Sequence, residues 1–228
     1  MKIFIIGITG GVGGQVARKL REQGDDVAGL VRREEQKGEL AEFGAVGHVG
    51  DLTNGSARAL ADMIGDAETI VFSAGAGGGS REAIAAIDRD GVIKAIEAAH
   101  LAKVQRFVLV SVFPEAWRDR FEGDGFEYYI RMKKQADVAL SRSGLDWVIL
   151  RPAALQDYSG RGTIALGPAE IHEQVSREDV ATTLAAVVHE TGISRQILEL
   201  NAGDTPVSEA IRAAVRDTTR AGEDSRGS

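Results

Sequence analysis

The sequence predicts an α/β fold: a doubly wound parallel sheet in three α/β/α layers, built as a single domain. Three observations predict it. Strand-like and helix-like patterns alternate along the chain, as in consecutive βαβ units. The strand segments are near-continuously apolar, so both faces of the sheet must be covered. The first strand also runs directly into a glycine-rich turn that opens a helix.

Taken in order, Lys2–Ile6 is a first strand and Val12–Gln23 a helix with Val16, Ala17 and Leu20 on one face, ended by Gly24. Asp26–Val31 is a second strand, Glu34–Phe43 a helix and Ala45–Val49 a short third strand. Ser56–Ile64 is helical and Thr69–Ser73 is a fourth strand. Ala83–Ala102 carries a helical period through Ile84, Ile87, Val92, Ile96 and Ala99. Arg106–Val112 is a fifth strand, Phe126–Ser143 a helix and Asp146–Leu150 a sixth strand. Beyond Pro152 the pattern is irregular. Ser176-Arg177-Glu178-Asp179 has the form of a capping box opening a helix to about His189, followed by a strand at Ile197–Leu200 and a helix at Pro206–Arg216. The domain is expected to run over residues 1–217, with 151–217 on the substrate side and a disordered polar tail at 218–228.

Composition narrows the function classes. The chain has 228 residues, enough for one substantial core. It has no cysteine, which excludes disulfides, thiolate metal sites and cysteine nucleophiles and fits a cytoplasmic protein. The net charge of −7 gives no global field for nucleic acid or an anionic membrane. No stretch approaches a membrane span, and the apolar start is too short for a signal peptide. His48, His100, His172 and His189 show no metal-ligand spacing, so no metal site is expected. The expected partner is a small-molecule substrate.

The turn Gly7-Ile8-Thr9-Gly10-Gly11-Val12-Gly13 places glycines at 7, 10 and 13 between strand and helix. A side chain there would block a phosphate, while the helix N-terminus offers unpaired N–H groups and partial positive charge. Gly7, Thr9, Gly10, Gly11, Val12 and Gly13 are therefore the candidate cradle for a dinucleotide pyrophosphate, at the switch point outside the first and fourth strands. The second strand ends in Arg32-Arg33, where an NAD site usually places an acid. Two guanidinium groups suit a 2′-phosphate, which favours NADP(H) over NAD(H), although Glu34 and Glu35 follow at once. Asp51 and Leu52 after the third strand suit the adenine amine and ring, or simply a helix-entry turn. Ala74, Gly75 and Ala76, in the glycine-rich loop after the fourth strand, suit the cofactor ribose. Ser111 ends the fifth strand, and Tyr129-Ile130-Arg131-Met132-Lys133 puts Tyr129 and Lys133 one helical turn apart. A lysine ammonium there would lower the tyrosine pKa and make Tyr129 a usable acid, with Ser111 on a substrate carbonyl. An amphipathic helix with a surface lysine gives the same spacing.

These pieces together resemble the atypical short-chain dehydrogenase/reductases, the compact NAD(P)-binding group of NmrA-like and biliverdin/flavin reductase-like proteins. The resemblance extends through Asp88-Arg89-Asp90-Gly91, Arg106-Phe107-Val108-Leu109-Val110-Ser111, Gly144 to Pro152, Arg177-Glu178-Asp179-Val180-Ala181 and Asn201 to Pro206. It implies a Rossmann fold with sheet order 3-2-1-4-5-6-7. It implies that Ser111, Tyr129 and Lys133 come together. It also implies that Pro152 and the backbone of Ala153, Ala154 and Leu155 line the nicotinamide side. The implied activity is hydride transfer to or from a small carbonyl, quinone or flavin. A nucleotide-sugar epimerase or dehydratase, or a non-catalytic NADP(H) redox sensor, is the alternative. The chain departs from the group at Val112-Phe113-Pro114 and in Trp117–Phe121, which would reshape the mouth of the pocket.

Overall fold

The computed structural model describes residues 1–114 and 123–215, so the Trp117–Phe121 segment and the tail from 218 lie outside the described residues. Its strands are β1 (Lys2–Ile6), β2 (Asp26–Val31), β3 (Val46–Val49), β4 (Thr69–Phe72), β5 (Arg106–Val110), β6 (Asp146–Pro152), β7 (Ala154–Gln156), β8 (Thr163–Gly167), β9 (Gln174–Ser176), β10 (Gln196–Ala202) and β11 (Thr205–Pro206). Its helices are α1 (Gly11–Glu22), α2 (Gln36–Ala41), α3 (Ala57–Ile64), α4 (Arg81–Ile84), α5 (Val92–Ala102), α6 (Gly123–Ser141), α7 (Arg177–His189) and α8 (Val207–Ala214). Among the described residues no helix is long and apolar enough to cross a membrane.

The sheet runs β3-β2-β1-β4-β5-β6-β10, all parallel, and continues through β8 and β11, which pair antiparallel. The implied order is therefore present, with β10 as the seventh strand and an antiparallel edge added to it. Strand periodicity explains the two layers of core. Along β1, Ile3 and Ile5 point into one cluster with Val16 and Leu20 of α1 and Leu184 of α7. Phe4 and Ile6 point into the other, with Leu60 of α3, Ile96 of α5 and Phe107 and Leu109 of β5. Helices cover both faces, which is why the strands carry no polar side.

The structure differs from the sequence reading in three places. The second helix starts at Gln36 rather than Glu34, because the Gln36 amide oxygen accepts from the backbone N–H groups of Arg32 and Arg33, at 3.0 and 3.1 Å. The long helix expected at Ala83–Ala102 is interrupted by a π-helical segment, Ala85–Gly91. The stretch after Pro152 is ordered, not irregular. Its strands β7, β8 and β9 are only three to five residues long, and β7 and β9 pair with each other outside the main sheet.

Helix α7 packs along α1 and joins the late part of the chain to the early part. At its C-terminal end His189 Nε2 lies 2.8 Å from Asp25 Oδ2. Arg106 on β5 is 5% exposed and pairs with Asp146. Its guanidinium also donates to the carbonyls of Val187 (2.7 Å), Glu190 (2.9 Å) and Ile193 (3.2 Å), tying β5 to the C-terminal end of α7 and the turn after it. Arg106→Met removes this cation and its hydrogen bonds to Asp146 and the three carbonyls. It is expected to cost about 3 kcal/mol, read as a lower urea midpoint with unchanged slope. A midpoint within error of wild type would show that water satisfies these groups equally well.

Candidate active site

The glycine turn is closed by sterics. Gly7 has φ of +96°, and a Cβ there would lie 2.6 Å from the Ala74 nitrogen. A Cβ on Gly13 would lie 2.2 Å from the Gly7 carbonyl oxygen. Gly13 thus lets α1 close onto the turn, and it lines neither of the two cavities described next. The N-cap of α1 is Gly10, with no side-chain cap and no acid in the first turn. By contrast Ser56, Ser80 and Ser176 cap α3, α4 and α7 with their hydroxyls. The first N–H groups of α1 are left for an anion, as a pyrophosphate requires.

Two cavities meet at this turn. The smaller, about 340 Å³, is lined by Gly7, Thr9, Gly10, Arg32, Asp51 and Leu52. The larger, about 670 Å³, is lined by Gly11, Val12, Ser111, Tyr129, Lys133, Pro152 and Leu155. Both include Ser73, Ala74 and Gly75, so they form one trough across the switch point. Its two polar ends, with Arg32 in one cavity and Lys133 and Arg177 in the other, suit an anionic dinucleotide.

Several of the expected contact residues do not line these cavities or are engaged elsewhere. Arg33 is exposed and lines neither cavity, whereas Arg32 lines the smaller one. Glu34 does not compete for it, because Glu34 pairs with Lys37 at 2.7 Å. The Asp51 carboxylate accepts from the backbone of Thr53 (2.7 Å) and Asn54 (3.0 Å) and from the Asn54 amide (2.8 Å). It organises its own turn, and those hydrogen bonds hold its pKa below the ordinary value. Ala76 turns its N–H toward Asp88 and lines neither cavity. Ala153 is buried, with its N–H on the Leu200 carbonyl, and Ala154 is drawn into β7. Of that stretch only Pro152 and Leu155 reach the cavity.

At the other end, β5 and α6 bring Ser111, Tyr129 and Lys133 to one cavity. Tyr129, Lys133 and Asp137 follow at successive turns of α6. Lys133 is 3% exposed; its Nζ donates to the Val110 carbonyl at 2.8 Å and lies 3.9 Å from Asp88 Oδ1. Burial pushes the ammonium pKa down, opposed by the Asp88 and Asp137 charges. Asp137 accepts from Arg151 Nε and Nη2 at 3.2 and 2.9 Å. Burial pushes its carboxyl up, opposed by the facing Ser111 hydroxyl and by Arg151. Ser111 lines the cavity, and its Oγ is buried with no hydrogen-bond partner.

Tyr129 is half-buried against Phe126, with ring centroids 6.0 Å apart. Its pKa is pushed well above the ordinary tyrosine value by burial first, then by the charges of Asp88 and Asp137. The expected lowering by Lys133 is therefore reversed: burial of the phenol, reinforced by the Asp88 and Asp137 charges, sets the direction. Tyr129 is held as the neutral phenol, able to donate a hydrogen bond.

Three residues at this end were given no role by the sequence alone. Asp88 and Asp137 surround Lys133, and their signal is an acid on an otherwise apolar helical face. Arg177, the first residue of α7, lines the larger cavity and lies over α1. A Cβ on Gly11 would come within 3.1 Å of Arg177 Cδ. Its ion-pair partner is Asp157, at 2.7 Å, whose side chain is 84% exposed, so the guanidinium is cheaply redirected to an anion on α1. Arg177→Ala is expected to weaken dinucleotide binding about tenfold at unchanged melting temperature, the scale of one charge-assisted hydrogen bond. Unchanged affinity in a fluorescence titration would exclude Arg177 from the site.

Comparison with known proteins gives the same reading. A family model described as NAD(P)H-binding matches residues 7–191. YhfK of Bacillus subtilis, named an uncharacterized sugar epimerase, is 34% identical over 214 residues, covering 93% of this chain and 99% of its own. A Bacillus halodurans structure named for NAD-dependent epimerase/dehydratases is 28% identical with TM-score 0.85, covering 93% of this chain and 99% of its own. The oxidoreductase ylbE structure from Lactococcus lactis is 26% identical with TM-score 0.83, covering 93% and 96%. The chain belongs to the NAD(P)H-binding family of Rossmann-fold proteins, and its cofactor is a nicotinamide dinucleotide.

Proposed function

We propose that the protein is an NADP(H)-dependent oxidoreductase acting on a small carbonyl, quinone or flavin. The observation that carries this reading is the single trough that joins the glycine cradle to the Ser111, Tyr129 and Lys133 cavity. When bound, NADP(H) supplies the hydride equivalent. The uncapped turn of α1 holds the pyrophosphate, with Arg177 beside it. Arg32 meets the 2′-phosphate, since β2 ends without an acid. Lys133 uses one donor on Val110, which leaves two for ribose hydroxyls. Tyr129 donates a hydrogen bond to the substrate oxygen and delivers the proton. Ile84, Val110, Phe126 and Leu155 line the same cavity and exclude water. The residues after β6 extend the sheet through β10, β8 and β11 instead of building a lobe over the cavity. That favours a small substrate over the sugar suggested by the name of the Bacillus subtilis relative.

Titration with NADPH and NADH tests the cofactor. NADPH is expected to bind more tightly, and Arg32→Asp to weaken NADPH far more than NADH, by about tenfold or more. Equal losses for both cofactors would remove the phosphate contact. Tyr129→Phe is expected to lower carbonyl turnover about a hundredfold at unchanged NADPH affinity. Undiminished turnover would take Tyr129 out of the mechanism and favour a flavin or quinone acceptor, for which placement of the two rings suffices. Cofactor binding with no turnover on any of the three substrate classes would support the sensor alternative.

A further inference from the structure

Asp88 is a buried ionisable group that the mechanism above does not use. It is 1% exposed and lies in the π-helical segment Ala85–Gly91. Such segments are frequent at functional sites, and they widen the turn and re-aim the side chains. Here it puts one carboxylate oxygen, Oδ2, 3.1 Å from the Ala76 N–H in the glycine loop. The other, Oδ1, has no hydrogen bond and lies 3.9 Å from Lys133 Nζ. Gly75 passes directly above it: a Cβ there would be 3.2 Å from Oδ1. The carboxylate therefore spans two parts of the trough, the loop over the junction of the two cavities and the lysine at the reacting end.

We infer that Asp88 is a positioning residue that latches the glycine loop through Ala76 while its charge holds Lys133 protonated and turned to the cavity. The inference rests on the nicotinamide reading of the trough. Loop and ammonium are then set together, so a cofactor entering the trough meets a lysine already charged. The surroundings support one dominant partner for Lys133. On its own helix it faces Tyr129 and Asp137, and Asp137 is already bound by Arg151 of β6. From β5 it meets the Val110 carbonyl. Ile84, Val92, Ala95 and Ile96, buried on α4 and α5, are apolar. Arg89 and Asp90, beside Asp88 in sequence, pair with each other at 2.6 Å. Among the described residues, Asp88 is the acid left to balance Lys133. Burial by itself would push the Asp88 carboxyl up, and the ammonium and the Ala76 N–H oppose that.

Two substitutions separate the roles. Asp88→Asn keeps an acceptor for Ala76 and loses the charge, whereas Asp88→Ala loses both. In cofactor-free protein, hydrogen exchange at Ala76 is expected to stay slow in wild type and Asp88→Asn, and to speed up about tenfold or more in Asp88→Ala. NADPH affinity followed across about pH 6 to 10 is expected to fall on the alkaline side as Lys133 loses its proton. With Asp88→Asn that midpoint moves down by about one unit, because removing the negative charge makes the ammonium easier to deprotonate. An unchanged midpoint in Asp88→Asn, or unchanged exchange in Asp88→Ala, overturns the inference. Should Asp88→Asn not fold, Asp88→Asn/Lys133→Met decides: a recovered fold supports the pairing, and no recovery overturns it. A wild-type protein that binds neither NADPH nor NADH sinks the functional reading instead, and the exchange comparison alone then judges the latch.

Discussion

The close approach of α1 to the end of β1 is the constraint on which the rest of the structure depends. It is possible because Gly7 and Gly13 have no side chains where the chain doubles back. A methyl group at Gly13 would sit 2.2 Å from a backbone oxygen, inside any tolerable contact. This contact sets where α1 points, and the direction of α1 sets the place of its uncapped N–H groups. The β4 end is set from the same point, since Gly7 also lies against the Ala74 backbone. Both walls of the trough are thus referred to one glycine turn.

The reacting end rests on a different principle. Asp88, Lys133, Asp137 and Arg151, with Glu199 at the edge, form a largely buried cluster of three acids and two bases. Such a cluster adds little net stability, because desolvation costs about as much as pairing returns. Its value lies in geometry and in field. The carboxylates keep the Tyr129 proton in place, and they offset the burial that would otherwise strip the proton from Lys133. Ser111 Oγ and Asp137 Oδ1 remain without hydrogen bonds inside it. Unmet polar capacity of that kind is usual where a ligand supplies the missing partner.

Much of this was legible in the sequence, for a physical reason. The parallel strands β1, β4 and β5 are buried on both faces, so burial writes itself as unbroken apolar runs at Ile3–Ile6, Ile70–Phe72 and Phe107–Val110. The glycine turn was legible because backbone sterics admit no other residue at Gly7 and Gly13. Strands β7, β8 and β9 were not, being short and half-exposed at an edge with neither period long enough to detect. Contacts between distant elements were also hidden. Asp88 meets Lys133 only through a π-helical turn that no spacing rule foretells, and Arg177 reaches Gly11 only because α7 packs on α1. The reversed tyrosine shift follows from the same gap: Tyr129 and Lys133 were readable as neighbours, but the two acids around them were not.

The packing of α7 onto α1 bears on how the molecule is made. Arg106 sits on a central strand, yet its carbonyl partners at Val187, Glu190 and Ile193 are synthesised more than eighty residues later. Asp25 waits still longer for His189. An N-terminal fragment emerging from the ribosome can therefore form the glycine turn and the first half of the sheet. In such a fragment Arg106 lacks both Asp146 and its three carbonyls, and the glycine turn has no Arg177 beside it. The walls of the trough are therefore complete only once α7 has been made.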